Sequence, residues 1–148
     1  MTRCLQALLA VLFALTAQYA VAQKPEDAIK YRRGGMAVIG WNFGSMAAMA
    51  QGKKPYDAAL FARQAEIVAF MSKLPLEGFT PGSDSGDTKA KPEIWLDMED
   101  FKAKMEKMQA EVAKLAEVAK GGDPDASKAQ LGEAGKACKG CHDKYRSK

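Results

Sequence analysis

Apolar residues recur at intervals that alternate between three and four along most of the chain after residue 24. This spacing places them on one face of an α-helix, whereas no segment alternates apolar and polar residues for long enough to predict a β-strand. The clearest series consists of Ile94, Met98, Phe101, Met105, Met108, Val112, Leu115 and Ala119. Helices that each present one apolar face must pack together, so the pattern predicts an all-α protein.

Prolines, glycines and acidic residues divide this pattern into four predicted helices. They run from Pro25 to Gln51-Gly52, from about Asp57 to Leu74, from about Pro92 to Gly121-Gly122, and from Asp123 to Arg146. Short connections after the first and third helices predict an antiparallel four-helix bundle, because helices joined by short loops run in opposite directions. The connection between the second and third helices is longer and rich in turn-forming residues, which suggests a role beyond joining two helices.

The apolar stripes predict which residues face the interior. In the second helix the stripe is loose and consists of Leu60, Ile67, Phe70, Met71 and Leu74. In the fourth helix it consists of Leu131, Ala134, Cys138, Cys141 and Tyr145, and His142 follows Cys138 by one turn. We therefore expect both thiols and the imidazole to share the inward face of the fourth helix.

The segment Cys138-Lys139-Gly140-Cys141-His142 has the C-x-x-C-H spacing of a c-type haem attachment site. In such a site the two thiols bond the haem covalently, and the imidazole becomes an axial ligand of the iron. A zinc site would need more ligands than the chain offers, because His142 is the only histidine and Cys4 is the only further cysteine. A thioredoxin-like redox pair and a plain disulfide remain open, but neither explains the adjacent histidine.

Met1 to Ala22 has the features of a cleaved secretory signal peptide. One early positive charge is followed by an apolar core from Leu5 to Leu15 and by Ala20-Val21-Ala22 as a cleavage signal. A membrane anchor is the alternative, although the apolar core is short for a membrane span. Cleavage would remove Cys4 and leave residues 23–148 as one domain, exported to a bacterial periplasm where the haem is attached.

One residue breaks the apolar stripe of the first helix. The stripe consists of Ile29, Arg32, Met36, Ile39, Phe43, Met46 and Ala50, so an arginine occupies a position that should be apolar. A buried guanidinium needs a partner, and a haem propionate would supply a carboxylate. The alternative is that Arg32 lies near an open end of the bundle and extends to water.

Several segments together resemble the cytochromes c′, and the resemblance covers residues 23–148. They are a Pro-Glu-Asp start, Tyr31-Arg32, Gly40-Trp41-Asn42, Pro55-Tyr56-Asp57-Ala58, Pro92-Glu93-Ile94-Trp95 and the run from Ala137 to Arg146. The resemblance implies a four-helix bundle with one covalently attached haem c, whose iron is high-spin, five-coordinate and bound to His142. It also implies a homodimer.

The same resemblance implies roles for residues around the haem. By this comparison Arg32 pairs with a propionate, and Phe79 and Trp95 line the haem pocket. Arg146 lies beside the proximal face of the haem, where we also place Tyr145.

Met36 aligns with the position that in this family faces the iron opposite the proximal histidine. If Met36 only crowds the iron, the protein binds small gases such as nitric oxide and carbon monoxide, which is compatible with electron transfer to an unidentified redox partner. The alternative is that the Met36 thioether ligates the iron and makes the protein a low-spin, six-coordinate electron carrier. We favour crowding, because the surrounding pattern is closer to the five-coordinate members. No acid–base pair beside a substrate pocket is evident, so we do not predict an enzyme.

Two further observations concern partners. Val38, Trp41 and Ala48 lie outside the inward stripe of the first helix, which supports the homodimer, although Trp41 could instead fold over its own bundle. The formal net charge of +4 is small and the lysines are scattered. We therefore expect no nucleic-acid partner and, after cleavage, no membrane partner.

Overall fold

The computed structural model describes residues 23–148, so the predicted signal peptide, Met1 to Ala22, lies outside the described residues. Four long helices follow one another: α1 (Pro25–Ala50), α2 (Ala58–Met71), α3 (Met98–Lys120) and α4 (Pro124–Tyr145). A short 3₁₀ helix (Pro75–Gly78) follows α2, and a single helical turn (Glu93–Leu96) precedes α3. Within residues 23–148 there is no β-strand, and the predicted all-α fold is confirmed. No helix in that range is both long and apolar enough to cross a lipid bilayer.

Local chemistry explains where the long helices begin. Pro25 opens α1, and two acidic residues in the first turn complement the positive end of the helix dipole. The Asp57 carboxylate caps α2 by accepting a hydrogen bond from the backbone N–H of Leu60 at 2.9 Å. Asp123 caps α4 in the same way, because its carboxylate accepts from the backbone N–H of Ala126 at 3.3 Å. These starts agree with the predicted ones to within one residue.

The four helices form a ring in chain order. α1 packs on α2, α2 on α3 and α3 on α4 extensively, whereas α1 and α4 touch over a short stretch. Met46, Phe61, Met105 and Leu115 fill the centre, each at most 2% exposed, and Leu131 joins them from α4. This is the predicted four-helix bundle, and its loosest seam lies between the first helix and the helix that carries the C-x-x-C-H motif.

The interior face of α2 differs from the prediction. The α3 stripe is buried as expected from Phe101 to Ala119, but the buried residues of α2 are Phe61, Gln64, Ala65 and Val68. Phe70, which we predicted to face the core, is 66% exposed. Apolar residues surround α2 on more than one side, so the periodicity alone did not distinguish its faces.

The third predicted helix is interrupted near its start. Helical structure begins at Glu93, as predicted, but the prediction of one continuous helix is wrong, because Asp97 leaves the helical region with φ −136° and ψ 58°. Its carboxylate accepts a hydrogen bond from the backbone N–H of Asp100 at 3.3 Å and so caps α3. The single turn before the break carries Trp95, whose indole N–H donates to the carbonyl oxygen of Thr80 in the long loop at 3.0 Å.

The face assigned to α2 can be tested with two phenylalanines of the same helix. Phe61→Ala should lower the free energy of unfolding by about 3–5 kcal/mol, because a fully buried aromatic side chain leaves a cavity. Phe70→Ala should lower it by less than about 1 kcal/mol, because that ring lies mostly in water. Guanidinium unfolding of the purified variants measures both changes, and equal losses would contradict the assignment.

Candidate haem-binding site

The C-x-x-C-H motif occupies the last two turns of α4. Cys141 is buried against the core and Cys138 is half-buried, whereas His142 is exposed. The expectation that all three side chains share the inward face is therefore wrong for His142. Successive helical residues differ by about 100° around the axis, so Cys141 and His142 cannot both point to the centre of the bundle. His142 instead lies at the edge of the stripe.

The ionisation of the motif favours haem attachment over a redox pair. Burial raises the pKa of the Cys138 thiol and raises the pKa of Cys141 to about 11. A redox-active C-x-x-C pair needs a thiol with a lowered pKa, so this environment is the opposite of the one expected. Desolvation lowers the pKa of His142, and the positive charge of Arg146 lowers it further. Both effects favour the neutral imidazole that binds a metal.

Arg32 is buried, with 2% of its surface exposed. Its Nη1 donates to the carbonyl oxygen of Gly78 at 2.8 Å and to the hydroxyl of Ser83 at 2.7 Å. Its Nη2 donates to the carbonyl oxygen of Ser83 at 2.7 Å and to the hydroxyl of Thr88 at 3.0 Å. The partners lie at the end of the 3₁₀ helix and in the loop that follows, so Arg32 ties α1 to that loop.

These contacts decide one of the two interpretations of Arg32. The alternative that it extends to water is wrong, because the side chain is buried. Among residues 23–148, no carboxylate forms a salt bridge with it. Burial lowers the pKa of Arg32, and the nearby Asp84 carboxylate partly opposes that shift. Pairing with a propionate stays a prediction, and the Nε–H group is the donor that the loop leaves available.

Gly78 makes the contact between α1 and the 3₁₀ helix possible. A Cβ atom at this position would lie 2.7 Å from the carbonyl oxygen of Ala28 and 2.9 Å from Cβ of Arg32. Only glycine therefore allows the 3₁₀ helix to approach closely enough for the Gly78 carbonyl to accept from Arg32. Gly78, Ser83 and Thr88 were not predicted from the sequence as site residues. The turn-rich composition of the loop was the available signal for the last two.

An aromatic cluster joins Arg32 to α4. The guanidinium carbon of Arg32 lies 4.7 Å from the ring centroid of Phe79 and 5.3 Å from that of Trp95. Phe101 packs between Phe79 and Tyr145, with centroid distances of 4.7 Å and 5.3 Å. The structure thus brings four predicted site residues together, with Phe101 as a link that the sequence analysis assigned only to the core.

A cavity of about 560 Å³ adjoins this cluster. Phe79 and Trp95 line it, together with Leu76, Met98 and two lysines, Lys73 and Lys102, among others. The Glu77 carboxylate also borders this cavity, whereas Cys138, Cys141 and His142 do not, so the cavity adjoins the aromatic cluster and not the attachment motif.

The end of α4 is held from two sides. Towards α3, Lys144 Nζ contacts carboxylate oxygens of Asp97 at 2.9 Å and Asp100 at 2.8 Å, and the Tyr145 hydroxyl donates to Asp100 at 2.6 Å. The hydrogen bonds from Lys144 lower the pKa values of both aspartates. Towards the long loop, Arg146 pairs with Ala90 in an isolated antiparallel bridge. Neither set of contacts was predicted from the sequence.

The residues present fit a covalently attached haem. Two thiols and one imidazole lie within two turns of α4, and Met36, one turn after Arg32 in α1, is partly buried against the core. The seam between α1 and α4 is the most loosely packed in the ring. Among residues 23–148, no group of three or more His, Cys, Asp or Glu side chains could hold a metal ion by itself.

Comparison with known proteins decides the family. The sequence model of the family described as Cytochrome C' matches residues 27–146. This chain belongs to the cytochrome c′ family. A cytochrome c′ from Rubrivivax gelatinosus is 50% identical over 127 residues, which are 85% of this chain and 98% of that protein.

Solved structures of cytochromes c′ share the fold. The cytochrome c prime from Shewanella frigidimarina has a TM-score of 0.82 at 48% identity, covering 85% of this chain and 98% of that one. A nitric oxide complex of a leucine-to-alanine variant of the protein from Alcaligenes xylosoxidans has a TM-score of 0.79 at 41% identity, with the same coverage. As a cytochrome c′, the chain is a haem protein with covalently attached haem c.

The anchoring role of the buried Arg32 in this cytochrome c′ can be tested by comparison with the neighbouring Arg33. Arg32→Lys should lower the free energy of unfolding by about 2–4 kcal/mol, because an ammonium cannot replace the two-sided contacts of the guanidinium to Ser83 and Thr88. Arg33→Lys is the control, since Arg33 is exposed and pairs with Asp87 at the surface. Denaturant unfolding of the haem-loaded variants measures the two losses, and a similar loss in both would contradict the anchoring role.

Proposed function

We propose that this cytochrome c′ binds small gases, in particular nitric oxide and carbon monoxide, at a haem iron held by the single protein ligand His142. The nitric oxide complex of the Alcaligenes xylosoxidans relative is the observation that carries this proposal, because that chain shares 41% identity and the bundle with this one. His142 is the only histidine in the sequence, so a second imidazole of this chain cannot fill the opposite position.

When bound, the haem would supply an iron that can take a diatomic molecule, and His142 would be its one protein ligand. The residues of the chain determine access to it. Cys138 and Cys141 fix the haem to α4, and His142, in the same two turns, supplies the proximal nitrogen. Met36, partly buried in α1, crowds the opposite side with an apolar side chain that donates no hydrogen bond. Small ligands that need no donor are thereby favoured over dioxygen.

The second candidate is a Met36-ligated electron carrier. A thioether is a competent axial ligand, and the side chain of Met36 is flexible, unbranched and only partly buried. We favour the gas-binding function, with electron transfer to a redox partner as compatible with it. We do not propose an enzyme.

We also propose that the mature protein is a periplasmic homodimer that pairs through α1. Trp41 is 80% exposed and Val38 41% exposed on the outer face of that helix, so Trp41 does not fold over its own bundle. Exposed aromatic and aliphatic side chains on one helix face are typical of an interface. The features of Met1 to Ala22 support export.

The role of Met36 can be tested by optical and electron paramagnetic resonance spectra of the haem-loaded protein, ferric and ferrous, with and without carbon monoxide. We expect high-spin spectra and ready carbon monoxide binding, and we expect Met36→Ala to speed binding by about tenfold or more, because it removes the obstructing side chain. Met71→Ala, a partly buried methionine in α2, is the control and should leave the rate unchanged.

The electron-carrier alternative makes the opposite prediction. A low-spin spectrum that does not respond to carbon monoxide, and that Met36→Ala converts to high-spin, would contradict the gas-binding proposal.

A further inference from the structure

We propose that Thr88 is a positioning residue for His142, because its hydroxyl oxygen joins Arg32 in α1 to the backbone bridge that closes the end of α4. The inference rests on the proposed function in one respect, that His142 is the axial ligand of the haem iron. It does not depend on whether Met36 crowds or ligates that iron.

Thr88 Oγ1 accepts two hydrogen bonds from different parts of the chain. Arg32 Nη2 donates to it at 3.0 Å, and the backbone N–H of Ala90 donates at 3.1 Å. The backbone of Thr88 is itself fixed, because its N–H donates to the carbonyl oxygen of Gly86 at 2.8 Å. One oxygen atom therefore connects a buried cation in α1 with the residue that pairs with Arg146.

The segment around Ala90 supplies hydrogen-bond donors to the carbonyl groups at the end of α4. Its last carbonyl groups lack partners within the helix and need them from outside. The backbone N–H of Lys91 donates to the carbonyl oxygen of Tyr145 at 3.0 Å. The side-chain Nζ of Lys91 donates to the carbonyl oxygen of Lys144 at 3.2 Å. The backbone N–H of Ser147 donates to the carbonyl oxygen of Lys89 at 2.9 Å, which completes the pairing of the two segments.

This pairing acts within one turn of His142. Arg146 is extended, as the bridge requires, yet its backbone N–H still donates to the carbonyl oxygen of His142 at 3.0 Å. Helix ends fray when their terminal groups are not satisfied, and fraying of this turn would loosen the backbone that carries the imidazole. Thr88 thus limits the motion of His142 from the loop side, while Lys144 and Tyr145 limit it from α3.

Three substitutions in the loop separate this role from a general effect on packing. Thr88→Val keeps the shape of the side chain but removes the acceptor for Arg32 and Ala90. Thr88→Ser restores the hydroxyl and should restore the parent behaviour. Thr80→Val is the matched control, because the Thr80 hydroxyl is buried but has no hydrogen-bond partner to lose.

Two measurements on the haem-loaded protein test the proposal. Amide hydrogen exchange at Lys91 and Ser147 should become about tenfold faster in Thr88→Val, because a hydrogen bond from a charged donor is lost, and should stay near the parent rate in the other two variants. The iron–histidine stretching frequency in the resonance Raman spectrum should also shift in Thr88→Val only.

The outcomes are distinct from those of the gas-binding test. Unchanged exchange in Thr88→Val, or equal changes in Thr80→Val, would overturn the proposal. Faster exchange without any shift of the iron–histidine frequency would also overturn it, because Thr88 would then order the loop without positioning His142. A parent protein that does not bind carbon monoxide would contradict the proposed function but would leave the amide-exchange readout intact, since the iron–histidine band needs a five-coordinate ferrous haem.

Discussion

The burial of the Arg32 guanidinium is the constraint on which the haem-binding end of this bundle depends. A charge removed from water must be compensated locally, and here the compensation comes from two carbonyl oxygens and two hydroxyl oxygens of the chain rather than from a carboxylate. All four belong to the segment after α2. The position of one side chain in α1 therefore determines the course of a loop that packing alone would leave free.

That loop connects the two sides of the proposed haem site. Its beginning carries Phe79, which stacks against Arg32, and its end pairs with the residues that follow α4. The loop thus joins Arg32 in α1 to the segment that closes α4 through hydrogen bonds. The seam between α1 and α4 can remain loosely packed because the loop and the contacts of Lys144 hold its ends.

The sequence predicts features that depend on short-range chemistry and not those set by distant partners. The spacing of Cys138, Cys141 and His142 is local, so the type of cofactor was evident, as were helix starts at prolines and capping aspartates. The inner face of α2 was not evident from the sequence, because apolar residues surround that helix. Arg32 was recognisable as anomalous, but its partners Ser83 and Thr88 lie 51 and 56 residues away. No periodicity relates positions at that separation. The Asp97 carboxylate at the helix break likewise contacts Lys144 of another helix.

A high-resolution crystal structure of the haem-loaded protein tests the central claim most directly. We predict that both Nη atoms of Arg32 remain within about 3.2 Å of Ser83 and Thr88, that Ala90 still pairs with Arg146, and that any propionate contact uses Nε. A guanidinium that has left the loop and directs both Nη atoms to a propionate would contradict the account. In that case the loop would be held by the cofactor and not by the chain.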